Sequence, residues 1–227
     1  IYTKGHFEFE GGGTLNVTGN ANHAIASKEY LQIKKSVKAI NILKAANDAI
    51  HAGQYFQMNG GELNITNTTV GDGIQAEYEL DDNDLIIKDE ENTGGIVIKG
   101  GVLNITMENS EDAKAIKAEG DIDISGGTFV LNAVSNGTRG IQTDGDLVIS
   151  EDNNPTNITI YAKGAKCTLA EDELDPHRCM GMKIDGNMTV RGGTVNVYNT
   201  GSKSKGIKVT GVYQVTGGTV NAVVDND

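Results

Sequence analysis

A repeat of about 25 residues limits this chain to very few architectures. Two short signatures alternate along it. The first is a small residue followed by an apolar one, as in Ala24-Ile25-Ala26, Ala49-Ile50-His51-Ala52 and Gly73-Ile74-Gln75-Ala76. It returns as Ala115-Ile116-Lys117-Ala118, Gly140-Ile141-Gln142-Thr143, Gly181-Met182-Lys183-Ile184 and Gly206-Ile207-Lys208-Val209. The second is a Gly-Gly pair opening an alternating strand, as in Gly60-Gly61-Glu62-Leu63-Asn64-Ile65 and Gly100-Gly101-Val102-Leu103-Asn104-Ile105. A third short strand, such as Phe56-Gln57-Met58 or Leu147-Val148-Ile149, lies between the two. All three alternate with period two, apolar inward and polar outward.

The small residues of the first signature fall at 24, 49, 73, 115, 140, 181 and 206. Of the six steps between them, four follow the common spacing and two carry an insertion, near 78–94 and 163–179. A leucine-rich repeat of similar length carries a helical or irregular segment in each unit, and no segment here has helical periodicity. A left-handed hexapeptide helix needs strict six-residue periodicity, which is absent. The expectation is a single all-β domain over 1–227, a right-handed parallel β-helix of about seven coils.

Composition agrees. The 227 residues include 30 Gly, too many for a helical bundle, where each interior Gly costs about 1 kcal/mol. The net charge of −12 argues against nucleic acid or an anionic membrane surface as partner. No apolar run approaches the roughly 20 residues that span a bilayer, so no membrane insertion by this chain is expected. Because the sequence opens on Ile1, any leader or lipid anchor is expected to have been cut away or left out. Cys167 and Cys179 close a short loop and are expected to form a disulfide, hence an extracellular or cell-surface setting; two free thiols are the alternative. Asn-x-Thr sequons, such as those at Asn16, Asn64 and Asn104, arise from the strand pattern and are not read as glycosylation.

Stacking at about 4.8 Å turns each outward position into a ladder of side chains. One ladder runs Ala26, His51, Gln75, Lys117, Gln142, Lys183, Lys208. On an acidic chain, this row of amides and ammoniums suits the carboxylates or hydroxyls of an extended polysaccharide. The competing reading is a solvated face whose cations discourage edge pairing. A second ladder runs His23, Asp48, Asp72, Lys114, Arg139, Met180, Lys205. Asp48 and Asp72 are neighbours on it and repel unless a cation intervenes, which points to calcium, or to neutralisation by Lys114 and Arg139.

A third patch stacks Glu119-Gly120-Asp121, Asp144-Gly145-Asp146 and Asp185-Gly186-Asn187 in three consecutive coils. Its carboxylates, Glu119, Asp121, Asp144, Asp146 and Asp185, are calcium candidates by charge density, unless they only bond their own turn backbone. Asn16, Asn64, Asn104, Asn196 and Asn221 form a fourth ladder read as structural. Tyr213 alternates inward and is expected in the core. The four His, at 6, 23, 51 and 177, show no metal-ligand spacing, and no nucleophile triad or phosphate loop is present.

Asp-Ala-Ile-His-Ala at 48–52 and Gly-Asp-Gly-Ile-Gln-Ala at 71–76, alternating with Gly-Gly-Glu-Leu-Asn-Ile at 60–65, resemble a family of secreted bacterial β-helices. These are described as carbohydrate-binding domain proteins, similar in fold to calcium-dependent pectate lyases. The resemblance covers essentially the whole chain. It implies calcium-assisted, non-catalytic binding of polygalacturonate- or cellulose-like polysaccharide. It also puts calcium at Asp48 and Asp72, which match the family's recurrent Asp; Lys114, Arg139, Met180 and Lys205 depart from it. The expected state is a monomer or part of a longer surface protein. Two other functions stay open. A lyase needs a base such as Lys117 or Arg139 beside a metal at Asp72, and an exposed Lys is a poor base at neutral pH. A rigid spacer needs neither sugar nor metal.

Overall fold

A computed structural model describes residues 1–66, 68–167 and 177–225. It is all-β, with parallel strands stacked as a solenoid of about eight turns. No helix among the described residues is long and apolar enough to cross a membrane.

Face A is an eight-stranded sheet. Its strands are Tyr2–Thr3, Ile25–Ser27, Ile50–Ala52, Ile74–Ala76, Lys114–Ala118, Arg139–Thr143, Met180–Ile184 and Lys205–Val209. Seven of these carry the small-apolar signature; the eighth, Tyr2–Thr3, pairs with Ala26 and Ser27 and opens a first turn that the signature does not mark. Faces B and C follow in each turn. They join into one sheet because Gly95–Met107 and Ile122–Ala133 run through both.

The Gly-Gly pairs make that corner. Gly101 and Gly127 have φ of 105° and 116°, a region that L side chains avoid. A Cβ at Gly101 would lie 2.7 Å from the Gly61 carbonyl oxygen, so successive corners stack backbone on backbone. The small residue of the first signature has the opposite location. Ala24, Ala49 and Ala115 are fully buried, and a Cβ at Gly181 would sit 2.3 Å from Val197 Cγ1. It is small because strands from two faces converge there.

Inside, side chains stack in columns. Ile25, Ile50, Ile74, Ile116, Ile141 and Met182 are in continuous register and completely buried. Burying each is worth about 1.5–3 kcal/mol, and it is buried only because a neighbouring coil lies above and below. The terminal coil shows the converse. Tyr213 is in register with Met188 at an inward position, yet it is 47% exposed, so the expectation of a core residue is corrected. One side of its ring has no coil against it among the described residues.

On face C, Asn side chains hydrogen-bond coil to coil. Asn41 donates to Asn16 (2.8 Å), Asn64 to Asn41 (2.9 Å), Asn104 to Asn64 (2.8 Å) and Asn221 to Asn196 (2.9 Å). Asn41 is a member that the Gly-Gly signature does not mark. Of the two expected insertions, the second lies largely outside the described residues, at 168–176. The first folds on itself through a Leu80–Ile86 bridge and on Asn92, whose amide bonds the backbone of Glu79 and Ile87.

The expected disulfide is not formed: Cys167 and Cys179 are free thiols. The antiparallel bridge closing that loop pairs Cys167 with His177, so the cysteines are not cross-strand partners. Cys179 Sγ instead lies 3.7 Å from the Ala133 carbonyl oxygen and 3.7 Å from Thr138 Oγ1.

Candidate functional site

The outward row of face A forms as read. Ala26, His51, Gln75, Lys117, Gln142, Lys183 and Lys208 are successive partners in strand register. It is not a freely solvated row: Gln142 is only 9% exposed and the rest, apart from buried Ala26, are half-buried. Tyr78, Glu79 and Leu80 flank the row at one end and His177 and Arg178 at the other, and the result is two concavities of opposite character.

The N-terminal concavity is a cleft of about 510 Å³. His23, His51, Glu77, Tyr78, Glu79 and Glu119 are on its lining. Asp48 lies beneath, 4% exposed. Its Oδ1 accepts the Asp72 N–H at 2.7 Å. Its Oδ2 is 3.0 Å from His23 Nδ1 and 3.1 Å from His51 Nδ1, and the two imidazoles stack at 4.4 Å. His51 Nε2 meets Glu77 Oε1 at 3.0 Å. Burial alone would raise the Asp48 carboxyl, but the two imidazoles and the Asp72 N–H outweigh it and hold the group well below the usual carboxylate range. Burial likewise opposes charge on His51, yet Asp48 and Glu77 bring it up to about 9.

The C-terminal concavity is a groove of about 390 Å³ with the reverse sign. Lys114, Lys117, Arg139, Arg178, Lys183 and Lys208 are among its lining residues, and Asp112 is the acidic one. Asp112 gathers three of the bases: Lys114 Nζ at 3.2 Å, Arg139 Nη1 at 3.2 Å and His177 Nδ1 at 2.6 Å. Burial pushes its carboxyl up, and Lys114, Arg139 and His177 more than reverse this, leaving it lowered. Arg139 also donates to Gln142 Oε1 at 2.9 Å, so the row and its flank are tied together.

The carboxylates read as calcium candidates occupy a different chemistry. Asp72 Oδ1 accepts the Lys114 N–H at 2.7 Å, and its Oδ2 lies 3.8 Å from Lys117 Nζ. Burial dominates there and raises its pKa despite both lysines. Asp121 Oδ1 accepts the Asp146 N–H (2.8 Å), and Asp146 Oδ1 accepts the Asn187 N–H (2.7 Å). These acids therefore bond the backbone of the next coil rather than their own turn. Glu119 caps the Tyr78 N–H at 3.0 Å, and Asp185 pairs with Lys183. Asp144 stands exposed beside them.

Sequence spacing missed His23 as a partner of His51, and it missed Asp112, His177, Arg178 and Glu77. His23 and Asp48 share a ladder, but His51 belongs to the adjacent one, and only the lengths of the side chains bring the three together. Glu77 aligns in register with Glu119, one position past the strand pairing Ala76–Ala118, and this signal was available in the repeat. Asp112 and His177 come from the segments that precede the small residues, outside the two signatures.

Four of the seven tyrosines stack in pairs. Tyr30 lies between His6 (4.2 Å) and Tyr55 (4.9 Å), and Tyr161 faces Tyr198 at 5.4 Å. These four present less open ring face than isolated tyrosines would, while Tyr2 and Tyr78 line the N-terminal cleft.

An elongated stack with a flanked, sign-segregated row suits an extended ligand. No significant match was found among curated proteins or among solved structures. A family model matches residues 1–227 in full, and by that match the chain belongs to the carbohydrate-binding domain-containing protein family.

Proposed function

We propose that the C-terminal groove of face A binds an acidic polysaccharide of the polygalacturonate type, without cleaving it. The observation that carries this is the concentration of Lys114, Lys117, Arg139, Arg178, Lys183 and Lys208 around one groove on a chain of net charge −12. Lys117, Gln142, Lys183 and Lys208 occupy successive coils, so cationic and amide donors recur at about 4.8 Å along the row. A polymer with a carboxylate on every sugar matches such a row by repeated charge-assisted hydrogen bonds. A neutral, cellulose-like chain would rely on open aromatic faces, and no tyrosine lines this groove.

Calcium assistance, expected from the carboxylate ladders, has to compete with backbone donors that Asp72, Asp121 and Asp146 already satisfy. We infer that the lysines and arginines supply most of the affinity. Cleavage requires a base free to take a proton, whereas Lys117 lies 3.8 Å from Asp72 Oδ2 and Arg139 is engaged by Asp112.

The test is calorimetric titration with polygalacturonate and with a neutral glucan, in calcium and in chelator, with absorbance followed for unsaturated product. Binding of polygalacturonate alone, weakening with salt and persisting in chelator, supports the reading. Equal binding of the neutral glucan, or none of either, overturns it. New absorbance would make the chain a lyase.

A further inference from the structure

The N-terminal cleft offers something the glycan reading does not use. We propose that His23, Asp48 and His51 form a binding site for one zinc-class divalent cation, separate from the cationic groove and from any calcium. Each of these three residues offers one ligand atom, and the three atoms lie within 4.8 Å of one another. Two imidazoles and one carboxylate are the donor set of an open zinc site, in which three protein ligands leave a fourth position for water or substrate. Calcium takes six to eight oxygens and would be poorly served by two nitrogens.

The spacing fits. With ligand bonds of about 2.0–2.1 Å, the edge of a tetrahedral site is about 3.4 Å. The two nitrogen–oxygen edges already measure 3.0 and 3.1 Å and need open by only a few tenths of an ångström. The nitrogen–nitrogen edge, within 4.8 Å, closes by tilting the two stacked imidazoles. His23 Nδ1 adds an independent sign. It is buried and has no hydrogen bond, although it lies 3.0 Å from Asp48 Oδ2. A cation between these atoms would satisfy both.

The surroundings orient the ligands as metal sites require. Glu77 accepts from His51 Nε2, which directs the Nδ1 lone pair inward, the carboxylate–histidine–metal arrangement. The Asp72 N–H holds Asp48 Oδ1 and leaves Oδ2 for the ion. A bound cation takes the place of a proton at His51 Nδ1. His23 and His51 line the cleft of about 510 Å³, so an ion held between them would be reachable from solvent.

The experiment uses the full chain without a histidine tag. Zinc is titrated by calorimetry, cobalt by visible absorption, and the ring signals of all four His are followed by NMR with one equivalent of zinc. We expect one site, a tetrahedral cobalt spectrum, and shifts confined to His23 and His51. His23→Gln and His51→Gln should each weaken zinc about 100-fold, and Glu77→Gln about tenfold, as for loss of an orienting partner. Asp121→Asn, remote from the cleft, should change nothing, and excess calcium should not displace zinc. Shifts at His6 or His177 instead, unchanged affinity in both histidine variants of retained β-sheet circular dichroism, or displacement by calcium would each overturn the site. Because the NMR readout uses the unaltered protein, it decides the matter even where a variant fails to fold. Polygalacturonate binding is unaffected by either result, so the two readings stand or fall separately.

Discussion

The two halves of face A share one backbone plan and oppose each other in chemistry. At the outward position, the N-terminal half presents His51 and Gln75 beside buried Asp48 and Asp72, whereas the C-terminal half presents Lys183 and Lys208 beside Arg139 and Lys205. Strand register across the whole sheet is continuous. The same inward Ile column lies beneath both. A solenoid therefore separates scaffold from site: stacking needs only the inward residues and the corner glycines, and each outward position is free to take any sign of charge. The difference also shows how each half handles burial. In the acidic half, carboxylates are stabilised by backbone N–H groups and imidazoles; in the basic half, one carboxylate, Asp112, gathers three cationic groups.

The largest effect tests whether the halves really share one core. Ile116 is completely buried at their junction, in register with Ile74 and Ile141. Ile116→Ala should cost about 2–5 kcal/mol in denaturant unfolding, and Ile207→Ala, half-buried in the terminal coil, distinctly less. Equal costs would break the picture of a column stabilised from both sides. Next comes the sign of the groove. Lys183→Glu combined with Lys208→Glu should weaken polygalacturonate about 100-fold, as expected for two charge-assisted contacts, and leave zinc binding in the N-terminal cleft unchanged. Loss of both activities would mean that the halves are coupled.

Asp112→Asn sharpens the electrostatic side. Its carboxyl is lowered in the folded state, so its contribution is fully present above the ordinary carboxylate value of 3.8 and is lost as pH falls through the lower folded value. The variant should be about 1 kcal/mol less stable near neutrality, allowing for solvent screening of a partly open site. Melting curves of the two proteins should converge in acid; a difference that persists there would mean that packing, not charge, is what Asp112 supplies. The smallest effect lies on face C. Asn64 both donates to Asn41 and accepts from Asn104, whereas Asn221 only donates, to Asn196. Asn64→Ala should cost about 1 kcal/mol in thermal unfolding, and Asn221→Ala about half of that.

The repeat makes most of the scaffold readable. Alternation with period two assigns Ile50 inward and His51 outward without knowledge of coordinates, and a constant spacing puts His51 beside Gln75 and Lys117 beside Gln142. The first turn escaped because its signature is partial: Ile1 aligns with Ile25, one position before the Tyr2–Ala26 pair, without the small residue that marks the other turns. Tyr213 was placed in the core by the same alternation that works elsewhere; it failed because alternation gives direction, and burial also needs a neighbour.

The site is legible in part for a related reason. Ladders give side chains one coordinate, along the stack, but a cluster forms from two ladders and from whatever walls them. His23 reaches Asp48 and His51 across ladders, and their meeting depends on rotamers that spacing does not encode. Asp112, His177 and Arg178 lie outside the two signatures, in the turns that precede the small residues. The thiols of Cys167 and Cys179 are governed by the loop's own pairing, in which Cys167 faces His177.

By itself, then, the sequence determined the solenoid, its inward columns, its Gly-Gly corners and the row of polar groups on face A. All of these follow from local alternation and a fixed period, because each coil can bury its apolar face only against the next. Tertiary structure alone decided the sign of each concavity, the His-Asp-His convergence and the fate of the carboxylates. Those depend on contacts between coils and insertions at the scale of single hydrogen bonds. A ladder of Asp is equally able to hold a cation or to cap a backbone N–H, and only the position of the neighbouring coil chooses between them.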